Sequence, residues 1–88
     1  MEISSVGVVT PGCNECESLK KAMEDAFSEY GISISFTLID YTLDPDQAMN
    51  ISEEMGFDDI PAFEVMGVVF KKGFKRLTVK RAVKKIGI

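Results

Sequence analysis

Thr10-Pro11-Gly12-Cys13-Asn14-Glu15-Cys16 holds both cysteines of the chain and divides a strand-like run from a helix-like one. Upstream, Ile3 to Val9 is apolar and β-branched at Ile3, Val6, Val8 and Val9, a composition that favours a strand at this length. Downstream, Leu19, Ala22, Met23, Ala26, Phe27 and Tyr30 recur with helical spacing and predict one apolar stripe of an amphipathic helix. Cys13 therefore falls at the start of that helix. Unsatisfied backbone N–H groups and the positive dipole end favour a thiolate there. Cys16 lies one turn further along the same face, within reach of a disulfide.

Other uses of the two cysteines compete with redox chemistry. A structural zinc site takes about four ligands, and the chain offers two cysteines and no histidine, so zinc would require carboxylates or a second chain. No metal is therefore expected. A purely structural disulfide closes too small a loop to gain much chain entropy. Two inert buried thiols are the third alternative, but a junction carrying Pro11 and Gly12 is a poor place to bury anything. A dithiol that cycles with a disulfide is the favoured use.

With 88 residues, 45% of them hydrophobic, the chain has material for one core, so a single domain over 1–88 is expected. The net charge of −4 conceals an asymmetry: residues 1–70 carry all 14 acidic residues against Lys20 and Lys21, whereas the last segment is basic throughout. Lys71, Lys72, Lys75, Arg76, Lys80, Arg81, Lys84 and Lys85 read as the wet face and basic end of a final helix. Nucleic-acid binding is not expected from an acidic chain whose basic run has no interleaved stacking aromatics. No apolar run approaches the ~20 residues that span a membrane, and Met1-Glu2-Ile3-Ser4 is no basic leader. The expectation is a cytoplasmic monomer without membrane contact, where a cysteine pair is more often catalytic than a staple.

Beyond the first helix, Gly31 suits a C′ position, and Ile32 to Leu38 alternates large apolar with small polar side chains, the clearest strand in the chain. Strand, helix and strand form a βαβ unit with parallel strands and a right-handed crossover. Asp44, Pro45 and Gln47 read as N-cap, N1 and N3 of a second helix in a capping-box arrangement, running to about Met55 with Gly56 past its end. After a loop at Phe57 to Ile60, Pro61 opens a strand over Ala62 to Met66; Gly67 turns it back into a hairpin with Val68 to Phe70. Gly73 marks another turn, Thr78 is a candidate cap for the last helix, and Val79, Ala82, Val83 and Ile86 form its apolar stripe. The order β-α-β-α-β-β-α predicts an α/β domain, with helices on both faces of a mixed four-stranded sheet.

That order, with Cys-x-x-Cys between the first strand and first helix and Ile60-Pro61 opening the third strand, resembles the thioredoxin-like superfamily over essentially the whole chain. Gly56-Phe57-Asp58-Asp59-Ile60-Pro61-Ala62-Phe63 is similar to the thioredoxin stretch Gly-x-x-x-Ile-Pro-Thr-x. The short length and the lack of an extra N-terminal strand and helix look more like glutaredoxin. The resemblance implies a thioredoxin-like fold, a cis Ile60–Pro61 bond beside the sulfurs, and substrate contacts at Ile60, Pro61, Gly12 and Gly73. It also implies a dithiol–disulfide oxidoreductase without a cofactor, with Cys13 as nucleophile and Cys16 as resolving thiol. Its substrates would be protein disulfides, with a reductase or glutathione as electron source. A thioredoxin-like binding module with little or no turnover is the alternative.

The chain also departs from the family. It reads Gly12-Cys13-Asn14-Glu15-Cys16 where thioredoxins carry Trp-Cys-Gly-Pro-Cys, and Gly7 occupies the place of the acidic residue beneath a thioredoxin active site. Glutaredoxins hold glutathione with Gly-Gly-x-Asp, whereas Lys72-Gly73-Phe74-Lys75 has one glycine and no aspartate, leaving Lys71, Lys72 and Lys75 to meet its carboxylates. Glu15 and Glu17 are expected to oppose the helix dipole and limit activation of Cys13.

Overall fold

In the computed structural model, which describes residues 1–87, the elements run β1 (Glu2–Val9), α1 (Asn14–Ser28), β2 (Ser33–Asp40), α2 (Pro45–Met55), β3 (Ala62–Val65), β4 (Val68–Lys71) and α3 (Arg76–Ile86). This is the order read from the sequence. The sheet order is β2-β1-β3-β4, with β1 and β2 parallel and both other pairings antiparallel. The mixed four-stranded sheet and its three helices are therefore as expected.

The pleat of β1 divides the core. Val9 and Ile3 face α1 and α3, packing with Leu19, Met23 and Phe27 of α1 and Val79, Ala82 and Val83 of α3. Val8 and Val6 face the other way, against Ala48, Ile51 and Met55 of α2. Between Ile3 and Val9 the first face carries two small residues, Ser5 and Gly7, and small residues on a central strand leave room for large ones on its neighbours. Phe36 on β2 and Phe63 on β3 take that room, meeting edge to face at 5.3 Å between centroids. Ser5 is fully buried, and its hydroxyl donates to the Glu64 carbonyl at 3.0 Å, so the polar group is not left unpaired.

Several local expectations need correction. The α1 stripe ends at Phe27: the helix stops at Ser28, Gly31 turns the chain at φ 71°, and Tyr30 is left exposed. Ala22 is exposed as well, because α1 is covered on the narrower line through Cys16, Leu19, Met23 and Phe27. The β2 alternation is honoured at Ile34 and Phe36, but Leu38 is 44% exposed while Ile39, outside the alternation, is buried against the α2 cluster. The two residues lie on opposite faces of an edge strand: Ile39 meets α2, whereas Leu38 faces the start of α1 across a cavity. Thr78 does not cap α3, which starts two residues earlier at Arg76 with Lys75 at the N-cap and no side-chain cap bond.

The second helix follows its signals closely. Asp44 accepts the Gln47 N–H at 3.2 Å, Pro45 is the first helical residue, and Gly56 ends the helix in the left-handed region at φ 75°. The Asp44 N–H bonds instead to the Asp40 carbonyl at 2.9 Å, so only half of the capping box forms.

Candidate active site

The turn after β1 delivers Cys13 to the N-cap of α1. Gly12, at φ 66°, makes the bend that carries the chain from strand into helix, a conformation that glycine adopts without strain. Cys13 is extended at φ −84°, and its sulfur does the capping, accepting the Cys16 N–H at 3.0 Å. A sulfur held on the first free N–H groups of a helix is where negative charge is favoured. Cys13 and Cys16 are joined as a disulfide with their Cα atoms 5.2 Å apart. Cys16 is buried at 3% exposure, while Cys13 is partly open, so an incoming group meets Cys13 first.

A cavity of about 280 Å³ contains both cysteines, and Gly12, Glu17, Lys20 and Leu38 line it with them. Leu38 enters because β1 and β2 are parallel, which brings the end of β2 beside the loop that follows β1. Two residues before Val9, which lines the cavity, Gly7 lies on the same face of β1. A Cβ at Gly7 would lie 2.1 Å from the Phe63 ring, so Phe63 occupies the volume in which a side chain at this position would project.

The other candidate residues are placed differently. The antiparallel register pairs Val8 with Ala62 and so sets Pro61 at the level of Val9, at the sheet end from which Cys13 departs. The Ile60–Pro61 bond is cis, as expected. Pro61 is buried, and Ile60 is half-buried against the α2 cluster, so neither lines the cavity with the cysteines. Gly73, at φ 77°, lines a separate apolar groove of about 370 Å³ with Asn14, Glu15, Leu19 and Phe74. The two glycines thus stand beside different cavities that share the first turn of α1.

The charges near the first turn are paired. Glu15 accepts from Lys72 at 2.9 Å across the mouth of the Gly73 groove, and Glu17 lies 3.8 Å from Lys20. The expected opposition of these carboxylates to the helix dipole is thereby weakened, since each has a cation next to it. Lys71, one of the lysines considered for glutathione, is bound to Asp58. Its hydrogen bond, and then its charge, hold the Asp58 carboxyl below the usual carboxylate range. Among the described residues no group of three or more Cys, Asp or Glu side chains is arranged to hold a metal ion.

Reading the sequence missed Lys20, Leu38 and Phe63. Lys20 was open to detection, because Cys13, Cys16, Glu17 and Lys20 fall at i, i+3, i+4 and i+7 on one helical face. Leu38 and Phe63 depend on strand register and carry no local signal.

No protein-family model matches the chain, and no curated protein matches it. A solved chain described as "Structure of a malarial protein" is similar over 100% of both chains, at 12% identity and a TM-score of 0.48, a likeness too slight to bear on function. No helix among the described residues is long and apolar enough to cross a membrane.

Proposed function

We propose that this chain is a small thioredoxin-like dithiol–disulfide oxidoreductase that reduces protein disulfides in a reducing cytoplasm. One observation carries the reading: a partly open Cys13 sulfur accepts the Cys16 N–H at the start of α1 and is bonded to a buried Cys16. In the reduced protein the Cys13 thiolate attacks one sulfur of a substrate disulfide, forming a mixed disulfide and expelling the other substrate sulfur as a thiolate that takes a proton from water. Cys16 then loses its proton and attacks the Cys13 sulfur. That step re-forms the Cys13–Cys16 bond and releases the second substrate thiol, so two electrons pass from the protein to the substrate. The asymmetry of exposure suits this order of events, because only the attacking thiol must reach a large partner.

Turnover of a model protein disulfide tests the reading, with either a thioredoxin-reductase system or glutathione as electron source. Cys13→Ser is expected to abolish turnover, and Cys16→Ser to accumulate mixed disulfides visible on a non-reducing gel. Limiting alkylation of the reduced protein is expected to label Cys13 before Cys16. Failure of the parent protein with both electron sources would remove the oxidoreductase reading and leave a binding module of the same fold.

A further inference from the structure

The face that α1 turns toward β2 carries, in succession, the two sulfurs, Glu17 and Lys20, and all four line the same cavity. Among the described residues lining it, Lys20 is the one cation and Glu17 the one anion. Lys20 is also held in place. Its ammonium lies 5.6 Å from the Phe36 ring centroid, and its side chain is only 21% exposed. Phe36 is itself fixed edge to face on Phe63. A lysine laid along an aromatic ring loses little rotamer freedom when its ammonium engages an anion, and partial exclusion of water strengthens that engagement.

We infer that Lys20 is a positioning residue for disulfide exchange, its ammonium favouring the thiolate form of Cys13 across the shared cavity and so raising the fraction of reduced protein able to attack. The inference rests on the reading of Cys13 as nucleophile and adds the group that activates it. When the thiolate attacks and its charge passes to the expelled substrate sulfur, Lys20 has Glu17 beside it at 3.8 Å, so the cation is not left without a neighbouring anion in the oxidised state. Other charges bear on the same sulfur. Glu15 in the first turn opposes the thiolate but is bound to Lys72. Asp40, at the end of β2, turns its carboxylate to Thr42 and Leu43. Near Pro61, Asp59 accepts the Ile60 N–H and Asp58 is bound to Lys71. These are engaged elsewhere; Glu17 lines the same cavity and offsets part of the Lys20 charge at 3.8 Å, but its side chain is 75% exposed against 21% for Lys20, so water screens the carboxylate more than the ammonium.

The test is the pH profile of Cys13 alkylation by iodoacetamide, measured on the reduced full chain in a Cys16→Ser background so that one thiol reports. Lys20→Gln is expected to raise the midpoint by roughly half a unit, which is about a threefold loss of rate below the midpoint, as removal of one nearby partly screened charge implies. Lys20→Met keeps the stem over Phe36 and is expected to match Lys20→Gln, whereas Lys20→Arg is expected to restore the parent midpoint. The difference between parent and Lys20→Gln should collapse in ~1 M salt, where the screening length is about 3 Å. Equal midpoints in the parent and both neutral variants, at matched thermal stability, would overturn the inference, as would an equal shift in Lys20→Arg. Failure here is separable from failure of the oxidoreductase reading, which turnover by the parent protein with the two electron sources decides.

Discussion

Replacing Gly7 with alanine adds one methyl group in the middle of the central strand, and its cost follows from a single contact. An ideal Cβ there would sit 2.1 and 2.2 Å from Cδ1 and Cε1 of Phe63 and 2.9 Å from Cγ. Carbon atoms at rest lie about 3.5–4.0 Å apart, so the ring must retreat by roughly 1.5 Å. The backbone adds no penalty, because Gly7 is not among the glycines at positive φ. The ring has little freedom to move, since Phe63 is fully buried and rests on Phe36. Expelling it would forfeit about 4 kcal/mol of apolar burial. Straining the neighbours to keep it inside costs about 1–3 kcal/mol, and the cheaper route sets the outcome.

The expected loss is therefore about 2 kcal/mol out of a total of order 5–10 for a domain of this size. With a urea dependence of about 1–1.5 kcal/mol per molar, the unfolding midpoint should fall by roughly 1.3–2 M at unchanged slope. Phe63→Leu leaves a cavity and destabilises by itself, but it also removes the clash. The double variant should accordingly be more stable than the sum of the two single losses by over ~1 kcal/mol. A Gly7→Ala midpoint within about 0.2 M of the parent, or additive losses in the double variant, would refute the packing argument.

Two other perturbations have expected outcomes. Asp44→Ala removes the acceptor for the Gln47 N–H at the start of α2 and should cost about 1 kcal/mol, whereas Asp44→Asn should keep most of the stability. Thermal unfolding distinguishes them, and an asparagine as damaging as alanine would count against capping. Lys71→Met should lower the melting temperature slightly at neutral pH through loss of the pair with Asp58. The Asp58 carboxyl is held below its ordinary value of 3.8 in the folded state, so its contribution is present above that value and fades as pH falls through the lower folded one. Parent and variant melting temperatures should thus converge once the pH is low enough to protonate Asp58 in the folded state, and a difference that persists there would have another cause.

What was legible in the sequence was what local chemistry determines. The span of α2 is marked by Asp44, Pro45 and Gly56 because capping and left-handed termination are decided within a few residues. The β3–β4 hairpin is marked by Gly67 for the same reason, with Met66 joining it at positive φ to make a two-residue turn. The misreadings arose where tertiary cover decides. Tyr30 keeps the helical spacing of the α1 stripe, yet the chain has already turned at its end. Leu38 keeps the strand alternation, yet a cavity separates it from the start of α1, and the exposed leucine lines that cavity beside Cys13. Thr78 has the side chain of a cap, yet α3 begins earlier because the turn at Gly73 has already redirected the chain.

The candidate site divides along the same line. The cysteines, Gly12 and the helix start lie within one short segment, so their mutual placement was readable before any tertiary structure was known. Leu38 and Phe63 come from β2 and β3, and only the registers Gly7↔Leu38 and Gly7↔Phe63 set them beside the central strand. Gly7 is the junction of the two. Read alone it marks a missing side chain; read with its partners it is the gap into which Phe63 folds, carrying Phe36 against it and Lys20 over Phe36. A small residue on the central strand thus shapes the packing of both neighbouring strands and of the lysine laid over them. Through the stacked rings it helps to place Lys20, the one cation among the described residues that line the sulfur cavity.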